Sequence, residues 1–135
     1  METSPAHLKV YLADDSAPIR QRVGALLAAN AMSIVGEGET PQACIAGILD
    51  TSPDVVVLDC QLEAGTGLEV LKAVRRAEPA IAFVVFSNNS APAYRKRYLA
   101  EGAARFLDKS AEFDQLPQAV FSAAPGFPTD QRHQP

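Results

Sequence analysis

The chain has 135 residues, 47% hydrophobic and 21% charged, with a net charge of −4; that length holds one domain with a proper core and excludes two of ordinary size. The acidic balance excludes an overall basic field that would draw the chain to nucleic acid, and suits a local site for protein partners or small anions. No apolar run approaches the roughly 20 residues that span a bilayer, Met1-Glu2-Thr3-Ser4-Pro5 lacks the regions of a signal peptide, and Cys44 and Cys60 have neither metal-ligand nor disulfide-framework spacing, so a soluble cytoplasmic protein with reduced thiols is expected.

In chain order, Leu8 to Ala13 is predicted as a first strand ending on Asp14 and Asp15. Ser16 is placed to cap a helix beginning at Pro18, whose missing N–H is not needed in the first turn. Ile19, Val23, Leu26 and Leu27 share one helical face, and Asn30 ends it. Ser33 to Gly36 is a short second strand, followed by a turn at Glu37-Gly38-Glu39. Thr40 and Pro41 start a second helix with a buried stripe of Ile45, Ile48 and Leu49, and Pro53 stops it. Val55 to Leu58 shows no polar alternation, as in a central strand covered on both faces, and it delivers Asp59. After a loop from Cys60 to Gly67, Leu68, Leu71 and Val74 mark a third helix ended by Glu78-Pro79.

The fourth strand, Ile81 to Phe86, ends on Ser87, and a fourth helix runs from Pro92 to Glu101 before Gly102. Its basic run Arg95-Lys96-Arg97 reads either as a solvated face or as a partner-docking patch. Arg105 to Leu107 is a short fifth strand leading to Lys109. The last helix spans about Asp114 to Ala124, with Leu116 and Val120 facing the sheet and Pro117 confined to the first turn. Residues 1–7 form a polar lead and residues 125–135 a breaker-rich, flexible tail; His7 and His133 receive no role.

Five strands alternating with five helices imply right-handed βαβ crossovers and a parallel sheet with helices on both faces. Ligands in such sheets sit at the carboxyl ends of the strands, where Asp14, Asp15, Asp59, Ser87 and Lys109 all fall. Three crowded carboxylates call for a positive partner, and Mg²⁺ with its oxygen preference and few protein ligands fits. Carboxylates, cation, lysine and hydroxyl together make a cradle for a phosphoryl group, with one carboxylate free to act as nucleophile. Taken singly, each of these residues reads as an ordinary turn or surface residue; the coincidence at one edge carries the inference.

From Leu8 to about Ala124 this pattern resembles the receiver domain of bacterial two-component response regulators: the acid pair, Asp59, Ser87 and Lys109 follow in that family's order and at similar intervals. The resemblance implies a flavodoxin-like, doubly wound α/β fold of five parallel strands in order 2-1-3-4-5, with residues 8–124 as the domain. It implies that Asp59 accepts a phosphoryl group from a sensor histidine kinase or a histidine phosphotransfer protein. Asp15, Asp59 and the carbonyl of Gln61 would bind Mg²⁺ directly and Asp14 through water, while Ser87 and Lys109 would contact the phosphoryl group. Phe106 falls at the family's aromatic switch, which turns from exposed to buried as the hydroxyl residue moves inward; a plain core aromatic is the other reading. The surface of the fourth helix, fifth strand and fifth helix would then change its protein partners, in a monomer or weak dimer without direct nucleic-acid or membrane contact. The domain would assist its own phosphoryl transfer and dephosphorylation without being an enzyme in the ordinary sense.

The chain departs from the family at three points: Glu63 and Ser110 stand where proline is common, and Asn88 where Ala or Gly is usual. With Gln61 and Asn89, these residues are expected to tune the lifetime of the acyl phosphate. A stand-alone receiver is the primary expectation, since few residues follow Ala124; the alternative is a fragment of a regulator whose output domain is missing. A phosphatase of the haloacid-dehalogenase type would need an Asp-x-Asp pair after the first strand. A flavodoxin-like cofactor binder would want a hydroxyl-rich loop there, and a degenerate receiver would not keep the full set of acids and lysine.

Overall fold

The five apolar runs pair into one parallel sheet of β1 (Leu8–Ala13), β2 (Met32–Gly38), β3 (Val55–Leu58), β4 (Ala82–Ser87) and β5 (Arg105–Asp108) in a computed structural model that describes residues 7–124. The strand order is β2-β1-β3-β4-β5, the expected doubly wound arrangement. Residues 1–6 and the tail expected to be flexible, residues 125–135 with His133, lie outside the described residues.

Five helices cover the sheet: α1 (Ala17–Ala28), α2 (Pro41–Thr51), α3 (Gly67–Ala77), α4 (Pro92–Ala100) and α5 (Leu116–Ala123). Strand side chains alternate between two cores, as a period of two requires. Val10, Leu12, Val57 and Phe86 face Val23 and Leu27 of α1 and Leu116 and Val120 of α5. Tyr11, Val56, Phe83 and Val85 face Ile48 of α2, Leu71 of α3 and Tyr98 of α4. Both faces are thus covered, which is why β3 reads as four consecutive buried residues.

Ser16 Oγ accepts the Ile19 N–H at 3.3 Å and Thr40 Oγ1 the Ala43 N–H at 3.1 Å, so both expected caps form. At α3, Thr66 and Glu69 add a reciprocal capping box. Pro117 falls in the first turn of α5, entered through a 3₁₀ turn at Phe113–Gln115.

Three local expectations change. The turn expected at Glu37-Gly38-Glu39 is largely strand, because Glu37 and Gly38 continue the ladder opposite Leu12 and Ala13 after a register shift between Val10 and Tyr11. Gly38, read as a turn residue, instead leaves room for Tyr11: a Cβ there would stand 2.6 Å from the Tyr11 hydroxyl oxygen. On α2 the buried stripe is Pro41, Cys44 and Ile48, while Leu49 is 38% exposed. On α3, Val70 is buried with Leu71 and Val74, and Leu68 only partly.

Candidate functional site

The sheet ladder itself places the site. Asp14, Asp59 and Lys109 each sit one step beyond a strand and Ser87 on the last residue of one, and each is tied by its backbone to the neighbouring strand. The Asp14 N–H donates to Gly38 O at 3.1 Å, the Asp59 N–H to Ala13 O at 2.9 Å, and the Lys109 N–H to Ser87 O at 2.9 Å. The ends of β2, β1 and β3 are thereby tied to one another, as are those of β4 and β5, with their next side chains converging.

Asp14, Asp15 and Asp59 each offer a carboxylate oxygen, and these lie within 4.8 Å of one another. Asp14 and Asp59 are buried, 7% and 8% exposed, while Asp15 faces solvent. Lys109 Nζ bridges the buried pair, 2.6 Å from Asp14 Oδ2 and 3.0 Å from Asp59 Oδ2. Burial pushes the Asp59 carboxyl up from its usual range, with Lys109 pulling it down and Asp14 adding to the rise. Burial would lower the Lys109 ammonium, but its bonds and attraction to Asp14 and Asp59 prevail and hold it up, charged. One ammonium against three carboxylates leaves a negative, oxygen-only donor set open toward solvent at Asp15. That donor set fits a hard divalent cation such as Mg²⁺.

Gln61, exposed, follows in a two-residue hairpin in which Gln61–Leu62 pairs with Gly65–Thr66, and its N–H points at Asp59 Oδ1 from 3.4 Å. Gly67 opens α3 directly beneath the acceptor; a Cβ there would collide with the Asp59 carbonyl, so no larger residue fits. Ser87, 2% exposed, accepts the Asn89 N–H on its Oγ at 3.1 Å, and Asn88 and Asn89 are exposed at the opening. Phe106 is 3% exposed and packs edge-on against Tyr98 with ring centroids 6.0 Å apart. Arg95 lies over the Phe106 ring, 5.0 Å from its centroid, and bonds its carbonyl at 2.9 Å.

Both departures from proline have a physical counterpart. The Glu63 N–H donates to Glu39 O at 2.9 Å, and the Ser110 N–H to Asp108 Oδ1 at 2.8 Å; a proline could make neither bond. Asp108 also accepts from Ser110 Oγ, the Ala111 N–H and, from the loop after β4, Ser90 Oγ at 2.6 Å. Those bonds, the Ser110 hydroxyl first, hold its carboxyl well below the usual range.

Two residues near the site were not singled out from sequence. Arg20 of α1 donates to the Asp14 carbonyl at 2.6 Å and to Glu37 and Glu39 at 2.7 and 2.9 Å, clamping the loop that carries the acid pair to the end of β2. Asp108 ties the loops after β4 and β5 together. Arg20 sits six residues past Asp14 with nothing local to mark it, because its partners come from another strand. Asp108 was hidden beside Lys109.

A family model for the response regulator receiver domain matches residues 10–121. The chain is 27% identical over 114 residues to the response regulator GacA of Pseudomonas aeruginosa, covering 84% of this chain and 53% of the relative. It is 31% identical over 123 residues to the transcriptional regulatory protein NarL of Mycobacterium tuberculosis, covering 90% and 57%. The chain thus spans about half the length of the curated relatives it matches. The signal receiver domain of the same NarL superposes with a TM-score of 0.84 at 30% identity, covering 90% of this chain and 99% of that one.

Proposed function

The chain belongs to the response regulator receiver domain family, and on that premise we propose that Asp59 accepts a phosphoryl group from a phosphohistidine on a sensor histidine kinase or a histidine phosphotransfer protein. The supporting observation is the convergence of three carboxylates on one strand edge with Lys109 bridging the two buried ones. An Asp59 oxygen attacks phosphorus, a P–O bond forms, the P–N bond breaks and the imidazole leaves. Lys109 is placed to turn from its carboxylate partners to the new phosphoryl oxygens, and Ser87 to donate its hydroxyl.

Asp15, Asp59 and the Gln61 carbonyl would hold Mg²⁺, with Asp14 acting through water. When bound, the ion supplies charge neutralisation on the phosphoryl oxygens. The state change leaves through the surface of α4, β5 and α5, by protein contact and in the cytoplasm, from a monomer or weak dimer. Residues 8–124 are the receiver unit, with residues 1–7 as lead and 125–135 as tail. The domain assists its own dephosphorylation, and Asn88 at the opening sets the lifetime of the acyl phosphate: Asn88→Ala changes the decay rate, and an unchanged rate removes that assignment.

Incubation with magnesium and a small phosphodonor, read by intact mass, tests the main proposal. An acid-labile adduct on the wild type that is lost in Asp59→Asn is expected. No adduct with several donors, or one retained in Asp59→Asn, would sink it.

A further inference from the structure

We propose that the groove between α3 and α4 is a docking site for a partner-protein segment carrying an apolar side chain flanked by carboxylates. The groove encloses about 380 Å³ and lies between Gln61 and Leu68 on one side and Tyr94 and Arg97 on the other, with Cys60 and Tyr98 at its floor. That volume falls at the small end of ligand sites, roughly 300–1,000 Å³, and suits one large side chain. Leu68 and the two tyrosine rings give it apolar walls, and Tyr94 is 36% exposed, one of the few large apolar side chains left open to solvent.

The rim decides the charge of the occupant. Helix α4 carries Arg95, Lys96 and Arg97 in succession and no acid, on a chain whose net charge is −4. Arg95 is committed to Phe106. Lys96 and Arg97 are exposed, and among the described residues the ion pairs belong to Arg20 and Lys109. Arg97 stands three residues after Tyr94, on the same side of the helix, so ring and guanidinium are offered together. A nucleic-acid strand is disfavoured, because its backbone needs a longer track of cations than the Lys96 and Arg97 that α4 leaves uncommitted on a chain of net charge −4.

The floor connects the groove to the switch. Cys60 is bonded to Asp59 through the chain and shares its buried cluster with Tyr98. Tyr98 in turn packs on Phe106. An occupant therefore touches the residue beside the acceptor and the residue that backs the aromatic. Docking and phosphorylation are then linked, each shifting the other by the same factor; this link, unlike the docking itself, rests on Asp59 being the acceptor.

The test selects a random 12-residue display library on the full chain, with and without magnesium and phosphodonor. Enriched peptides are re-measured on Arg97→Glu, which reverses the rim, and Ala93→Trp, which fills the groove from an exposed helical position. Peptides with an apolar residue between Asp or Glu are expected, losing about tenfold or more in affinity on each variant. No enrichment in either condition, a basic consensus, undiminished affinity on both variants, or a random single-stranded oligonucleotide binding in the peptides' place would overturn it. Intact mass on the same samples separates the two readings. An adduct without peptide binding ends the docking proposal alone, and peptide binding without an adduct ends the acceptor assignment alone.

Discussion

Asp59 is a carboxylate kept where ionisation is disfavoured, and that tension has a measurable sign. Its pKa is raised in the fold, so the folded state binds its proton more tightly than the unfolded chain and loses stability as pH rises through the titration. In metal-free buffer Asp59→Asn should therefore be more stable than the wild type at neutral pH, and the gap should close as pH falls through the carboxylate range. Urea unfolding across that range reads it; a variant less stable at neutral pH would show that the Lys109 bridge outweighs burial. Arg20 carries the opposite expectation. Its ion pairs with exposed Glu37 and Glu39 count for little, but its bond to the Asp14 carbonyl is shielded, with the side chain 12% exposed. Arg20→Gln should cost about 1–2 kcal/mol of stability and weaken magnesium binding measured by calorimetry. Unchanged binding would confine Arg20 to a structural role.

The loops after β4 and β5 act as one element. Ser90 and Asp108 join them across the sheet edge, so Ser87 and Lys109 keep a fixed separation without the proline that often follows the lysine in this family. Ser90→Ala should speed amide hydrogen exchange from Asn88 to Ala91 while leaving β4 protected; equal exchange in both proteins would show the loop to be held otherwise. This bond was not legible in the sequence, because Ser90 and Asp108 are 18 residues apart and each is common in turns. What was legible followed from local rules: Ser16 and Thr40 as caps, Pro117 in a first turn, and β3 buried on both faces. The extent of β2 was not, because Gly38 signals a turn until the Tyr11 side chain that needs its space is known. Nor was the face of α2, where a three-residue stripe could be drawn through Leu49 as easily as through Cys44.

At the scale of the molecule, the order of the strands matters more than any single contact. With β1 and β3 adjacent at the centre, the acid pair and Asp59 meet; with β4 and β5 beside them, Ser87 and Lys109 arrive at the same edge. The candidate site was legible for that reason: polar residues ending successive apolar runs must converge if all the strands are parallel. A bound ion should then stabilise the whole fold, since only the folded chain brings the three carboxylates together. At a magnesium concentration a hundredfold above its dissociation constant the gain should be about 2.7 kcal/mol, and Asp15→Asn should remove most of it. Thermal unfolding with and without chelator reads this, and a midpoint indifferent to magnesium would contradict the ion site.

The central claim, that Asp59 is the acceptor, is tested most directly by locating the modification. Borohydride reduction of an aspartyl phosphate leaves homoserine at the modified position. After treatment with phosphodonor and magnesium, peptide mapping should find homoserine at position 59 alone, and none without the donor. Homoserine at Asp14, Asp15 or elsewhere, or none in a sample that carries the adduct, would contradict the assignment.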